Sequence, residues 1–151
     1  MGLKMPIELK ETLKICDSMF ESCDIDFYEL SLKPIENSFF DDYQNIRLVN
    51  SFLFNFSKLQ DKIGAKLFKK ILYDLKEIDD FSVPMIDILH LLEKLEVIKN
   101  QDVWDELREI RNSLSHEYPF SIGERIENIQ LAMRGYKKLK EIYANVKSIS
   151  K

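Results

Sequence analysis

Glycine and proline are scarce in this chain, with four of each among 151 residues. Both residues interrupt helices and mark turns, so their scarcity argues against a β-rich or a disordered chain. Hydrophobic residues make up 45% of the sequence and charged residues 32%, which suits a compact helical protein. The length allows one domain with a proper core but not two ordinary ones. We therefore expect a single all-α domain over residues 1–151.

Cysteines and long apolar runs are also scarce. The two cysteines, Cys16 and Cys23, stand seven positions apart with no accompanying histidine, so neither a zinc site nor a disulfide framework is indicated. We expect both thiols in the core. The chain opens with no charged-then-apolar signal region and contains no run of 18 apolar residues. From this we expect a soluble, cytoplasmic protein with no membrane partner.

The chain has no excess of positive charge. Its formal net charge is −4, which argues mildly against broad nucleic-acid binding driven by counterion release, so any RNA contact must be local. Lysines do form two clusters, at Lys62, Lys66, Lys69, Lys70 and Lys76 and at Lys137, Lys138 and Lys140. The simplest interpretation of both clusters is a solvated helix face.

Apolar residues recur at helical spacing along most of the chain. The pattern predicts a first helix ending near Cys23, a loop over 24–34, a second helix over 35–60 and a third over 63–78. Asp61 and Gly64 would form a cap or kink between the second and third helices. A fourth helix is predicted from Pro84 to about Lys99. The last follows an S-x-x-E capping box at Ser121 and frays over 147–151.

The densest polar chemistry lies in the sequence VWDELREIRNSLSHEY, residues 103–118. Its apolar residues recur every three or four positions and predict a helix with one face in the core. Asp102 is suited to cap the start of this helix. Pro119 disfavours helical backbone at Tyr118, so we expect the helix to end near His116 or Glu117.

The helical periodicity places Arg111 beside Trp104 and Arg108, and about 140° around the axis from His116. Asn112 would lie close enough to His116 to hold the imidazole in one tautomer. In the last turn, the helix dipole would raise the proton affinity of His116, which suits proton transfer. The other histidine, His90, lies beside an apolar face and is interpreted as structural or surface-exposed.

Arg111, His116 and Tyr118 form the pattern R-x4-H-x-Y, with Asn112 directly after the arginine. This pattern resembles the HEPN signature and, more narrowly, that of the HepT-like toxins, small helical proteins paired with a minimal nucleotidyltransferase antitoxin. The resemblance extends from about Lys62 to Tyr143. It implies a metal-independent endoribonuclease of a type VII toxin-antitoxin pair, with RNA as substrate and no cofactor.

In the roles that this resemblance implies, Arg111 holds the scissile phosphate and His116 is the general acid or base. Asn112 completes the catalytic set, and Tyr118 accepts AMP from the antitoxin. Two other interpretations remain open. The protein could be a non-catalytic helical partner that docks a nucleotidyltransferase, or an interaction bundle in which Arg111 and His116 are ordinary surface residues.

The fold that we expect is an up-and-down bundle of about five helices, HEPN-like, with the motif helix and the last helix antiparallel. We also expect a homodimer, for two reasons. A single motif helix separates Arg111 from His116, and the segment from Leu48 to Phe56 is apolar on more than one face.

Overall fold

The computed structural model describes residues 6–114 and 121–150, and every regular element within them is helical. The helices are α1 (Ile7–Ser31), α2 (Tyr43–Lys62), α3 (Phe68–Asp74), α4 (Met85–Lys94), α5 (Gln101–Ser113) and α6 (Ile122–Ile149), with a 3₁₀ turn at Asn37–Asp41 and a π-helical segment at Ile63–Leu67. The π segment joins α2 and α3 into one continuous helix. The all-α bundle of about five helices is therefore confirmed.

Helix α1 continues eight residues beyond Cys23, so the predicted loop from residue 24 is wrong over its first part. The apolar seam in fact continues through half-buried Phe27 and buried Leu30. Asp24 and Asp26, which suggested a turn, lie on the helix surface and accept hydrogen bonds from other helices. An aspartate side chain can disfavour a helix by hydrogen-bonding to the nearby backbone. Here partners distant in sequence bind both carboxylates, which removes that competition.

Helices α1 and α6 are antiparallel and are joined by the same polar arrangement twice, seven residues apart. Tyr136 lies 2.6 Å from the Asp24 carboxylate and Tyr143 lies 2.6 Å from that of Asp17. Lys140 and Lys147 complete the two sets through ion pairs with the same carboxylates at 2.9 and 3.0 Å. These contacts stabilise α6 through Ile149, so the fraying predicted over 147–151 is wrong for Lys147 to Ile149; Lys151 lies outside the described residues.

Burial and the adjacent carboxylates raise the pKa of both α6 tyrosines above the ordinary value. The hydroxyls therefore stay protonated and donate to the aspartates. Ring packing adds to this contact, because Phe20 of α1 stacks on Tyr143 with centroids 4.6 Å apart.

Helix α2 begins at Tyr43, later than predicted, because the Asp42 side chain caps it by accepting from the Gln44 amide at 2.9 Å. The preceding segment folds as the 3₁₀ turn instead. At the other end, Asp61 and Gly64 form no cap. The helix widens into the π segment there and continues into α3.

Two other helix ends correct the sequence predictions, and a third confirms one. Asn100, not Asp102, caps α5, because its side chain accepts from the Val103 amide at 3.2 Å. Helix α4 ends at Lys94, before the predicted Lys99, and Glu96 takes a positive φ of 62° in the turn that follows. The capping box of α6 is confirmed by a 3.1 Å hydrogen bond from the Glu124 amide to the Ser121 hydroxyl.

The core contains Cys16 and Cys23 as buried thiols, as predicted. From the apolar stretch at 48–56, Phe52 and Phe56 are buried, whereas Phe54 points outward and is 62% exposed. The bundle therefore covers only part of that stretch. None of the described helices is both long and apolar enough to cross a membrane.

Candidate functional site: the Arg111 cleft

Arg111 lies in the last turn of α5, against the last turn of α2. Its Nε and Nη2 atoms donate to Oδ1 and Oδ2 of Asp61, both at 2.9 Å. This side-on, two-bond pairing uses the planar fork of the guanidinium and fixes its orientation more strictly than one contact could. Asp61 is therefore the group that orients Arg111.

The ion pair lies at the surface but is not fully solvated, with the arginine side chain 29% exposed and the aspartate 47%. The hydrogen bonds to Asp61 raise the pKa of Arg111 above its ordinary value, so it remains a cation. A guanidinium has five N–H donors. The pairing with Asp61 uses two of them, which leaves three for an anionic ligand.

Arg111 borders a surface cleft of about 450 Å³. The cleft is formed by α2, the π segment, α5 and the start of α4. Its lining residues are Gln60, Asp61, Gly64, Ala65, Met85, Trp104, Arg108, Arg111 and Asn112. The walls thus combine two arginines and two amides with the Asp61 carboxylate, and the arginines suit an anionic group such as a phosphate.

The indole of Trp104 forms the base of the cleft and is only 1% exposed. It packs edge to face on Phe68, with ring centroids 4.7 Å apart. A Cβ at Gly64 would lie 2.8 Å from Cζ2 of Trp104, so no side chain fits there. The glycine and the widened π turn together bring α2 and α5 close enough for Asp61 to contact Arg111.

The structure brings two of the four predicted site residues, Arg111 and Asn112, to the same cleft. Trp104 and Arg108, which the helical periodicity placed beside Arg111, also line it. His116 and Tyr118 lie outside the described residues.

Helix α5 ends at Ser113, with Leu114 as its C-cap, earlier than the predicted end near His116 or Glu117. The Ser113 hydroxyl bonds back to the Ile110 carbonyl at 2.8 Å, a local contact that competes with continued helix. The predicted angle of about 140° required a continuous helix to His116, so it no longer supports a separation of Arg111 from His116.

Sequence reasoning missed Asp61 as a member of this site, because 50 positions separate it from Arg111. The one available signal was its position next to the irregularity at Gly64. No described group of three or more His, Cys, Asp or Glu residues is arranged to hold a metal ion. Comparisons of the chain with protein-family models, with curated protein sequences and with solved structures found no match.

Proposed function

We propose that the Arg111 cleft is the phosphate site of a metal-independent endoribonuclease, as the resemblance to the HepT-like toxins of the HEPN superfamily implies. The observation that carries this proposal is the guanidinium of Arg111, which Asp61 holds by two bonds at the edge of a cleft lined by a second arginine and two amides. A fixed cation stabilises the charge that develops on a phosphate under attack.

His116 supplies the proton transfer in this proposal. In the sequence it follows Leu114, the C-cap of α5, by two positions. In RNA cleavage a ribose 2′-hydroxyl attacks the adjacent phosphate, the histidine accepts or returns a proton, and the 5′-oxygen leaves. The products are a 2′,3′-cyclic phosphate and a free 5′-hydroxyl.

The test is incubation of the purified protein with labelled RNA in excess chelator. We expect cleavage products that carry 2′,3′-cyclic phosphate ends. His116→Ala should slow cleavage by about a hundred- to ten-thousandfold, the usual cost of losing a positioned proton-transfer group. His90, which is exposed on α4, provides the matched control. Equal activity of wild type and His116→Ala would contradict the assignment.

A homodimer is part of the same proposal, because one chain carries a single histidine near the motif and two chains would supply two. The exposed ring of Phe54, on the outer face of α2, supports an apolar contact between copies. Phe54→Ser should shift the protein toward monomer in analytical ultracentrifugation. A wild-type monomer at micromolar concentration would contradict the dimer.

Tyr118 is proposed as the acceptor of AMP transferred by a minimal nucleotidyltransferase antitoxin. The attached adenylate would bring a negative phosphate close to the motif and compete with RNA for Arg111. Intact-mass measurement after incubation with that enzyme and ATP should show added adenylate on wild type but not on Tyr118→Phe. Equal addition to both proteins would place the modification elsewhere.

A second candidate function is a non-catalytic helical partner that docks a nucleotidyltransferase. The observation that favours it is an uncovered apolar stripe at the end of α1, where Ile25, Tyr28 and the C-cap Leu32 are 62%, 64% and 67% exposed at helical spacing. Binding of a nucleotidyltransferase without any RNA cleavage would select this function over the first, provided that Ile25→Ser abolishes the binding.

A further inference from the structure

A second groove, which we name the lysine groove, continues from the Arg111 cleft along the same continuous helix. It is lined by Ala65, Lys66, Lys69, Lys70 and Phe81 and has a volume of about 290 Å³. Ala65 lines both depressions. The lysines follow one another at intervals of three and one, which places all three on one face of the helix.

The groove lysines differ from the lysine cluster at 137–140 in the groups to which their ammonium groups bind. Lys69 donates to the Phe81 carbonyl and Lys70 to the Thr12 hydroxyl, both at 2.9 Å. Both acceptors are neutral, so they position the ammonium groups without cancelling their charge. In the described part of the chain, no ion pair joins any of the three groove lysines to a carboxylate.

The other cluster, on α6, is engaged with groups of the bundle itself. Lys138 pairs with Glu106 at 3.1 Å and Lys140 with Asp24 at 2.9 Å. Lys137 lies over the ring of Phe27 at 5.8 Å. Two of the three α6 lysines are thus paired with carboxylates, whereas none of the three groove lysines is paired with one among the described residues, so the groove retains more positive charge for a ligand.

An aromatic surface completes the groove. The ring of Phe81 is half exposed and lies beside that of Tyr73, with centroids 5.2 Å apart. Positive groups along a groove with an exposed aromatic ring form the usual binding surface for single-stranded nucleic acid, in which lysines contact phosphates and a base stacks on the ring. An acidic peptide would use the lysines but would gain nothing specific from a stacking surface.

We propose that the lysine groove binds the single-stranded RNA that flanks the scissile phosphate, with Lys66, Lys69 and Lys70 on the backbone and Phe81 under a base. The assignment of the groove to the RNA that flanks the scissile phosphate rests on the proposed function, because the groove continues from the Arg111 cleft. The binding itself is independent of catalysis and is measured without it.

The experiment uses the full chain and a fluorescently labelled 2′-O-methyl oligoribonucleotide, which lacks the attacking hydroxyl and cannot be cleaved. Replacing Lys66, Lys69 and Lys70 with glutamine should weaken binding at least about tenfold and reduce the slope of log affinity against log salt by up to about 2, since each phosphate that a lysine neutralises contributes about 0.7. The same replacement at Lys137, Lys138 and Lys140 removes equal charge and should leave the slope unchanged.

Phe81→Leu keeps an apolar side chain but removes the stacking surface. It should weaken binding about five- to 150-fold, the value of one stacked base, without changing the salt slope. Lys66→Gln alone, at an exposed position, should reduce the slope by about 0.7 and provides a readout if the triple variant does not fold. Circular dichroism establishes folding for each variant.

Each outcome has a distinct meaning. Groove-dependent oligonucleotide binding without any cleavage of ordinary RNA would support the groove and refute the catalytic proposal. Cleavage that depends on His116 but is unaffected by the lysine and Phe81 variants, with unchanged oligonucleotide binding, would overturn the groove. A polyglutamate peptide that competes fully with the oligonucleotide, together with no effect of Phe81→Leu, would also overturn it, because the groove would then be a general anion surface.

Discussion

Asp61→Asn tests the central contact of the site, because it retains the shape of the side chain but removes its charge. The two 2.9 Å bonds to Arg111 are charge-assisted, and such bonds contribute about 1.5–3 kcal/mol in sheltered positions. Arg111 is 29% and Asp61 47% exposed, so solvent screening reduces that value. We expect the weaker orientation of Arg111 to cost about 1 kcal/mol, the upper value for an exposed ion pair.

A free energy of about 1 kcal/mol corresponds to about a fivefold slower cleavage rate at saturating RNA. The free energy of unfolding should fall by no more than the same amount, because an exposed pair contributes at most about 1 kcal/mol to folding. For a chain of 151 residues, we expect the thermal midpoint to fall by no more than about 2–4 °C. The variant should therefore lose activity while remaining folded at assay temperature.

A double-mutant cycle with Arg111→Gln isolates the pair. If Asp61 acts through Arg111, Asp61→Asn should have no further effect on cleavage in the Arg111→Gln background. Thermal unfolding of the same four proteins should give a coupling energy of about 0.5–1 kcal/mol, even if the protein cleaves no RNA. Faster cleavage by Asp61→Asn would refute the reasoning, because it would show that the carboxylate competes with RNA for the guanidinium.

Three further predictions concern packing and burial. Gly64→Ala should destabilise the protein by about 1–3 kcal/mol in urea unfolding, because its Cβ would overlap the indole at 2.8 Å; Gly123→Ala, whose Cβ lies 3.8 Å from its nearest neighbour, should not lower the midpoint. Tyr143→Phe should cost about 1 kcal/mol, because it removes a buried hydroxyl that donates to a carboxylate at 2.6 Å; an unchanged unfolding midpoint would contradict that hydrogen bond. Burial raises the pKa of Cys16 to about 11 and of Cys23 to about 12. Neither thiol should therefore react with iodoacetamide at about pH 8 until urea unfolds the chain. Rapid alkylation of the native protein would show that these thiols are accessible.

The sequence by itself determined the features that depend on near neighbours in the chain. Apolar residues three and four positions apart predict an amphipathic helix wherever it packs, so the all-α class followed without tertiary information. The capping box of α6 joins residues three positions apart and was equally readable. The position of Arg111 beside Trp104 and Arg108 follows from helical geometry alone, and the structure agrees.

Tertiary structure decided the features that depend on contacts distant in the chain. Asp24 suggested a turn, but its partner Tyr136 lies 112 positions away and keeps it within α1. Asp61 was predicted only as part of a cap or kink with Gly64, and folding brought Arg111 to it across 50 positions. In both cases a charged side chain is locally ambiguous, because its preferred structure depends on which opposite charge or hydrogen-bond donor the fold provides.

The two lysine clusters show most clearly that the sequence alone does not reveal contacts distant in the chain. In sequence both are short runs of lysine on amphipathic helices, and charge counting treats them alike. Folding places Glu106 and Asp24 against the cluster on α6, whereas the cluster on the continuous α2–α3 helix meets a carbonyl, a hydroxyl and an aromatic ring. The electrostatic field of a lysine depends on the charges within a few ångströms of it, and only the packing of distant helices determines those charges.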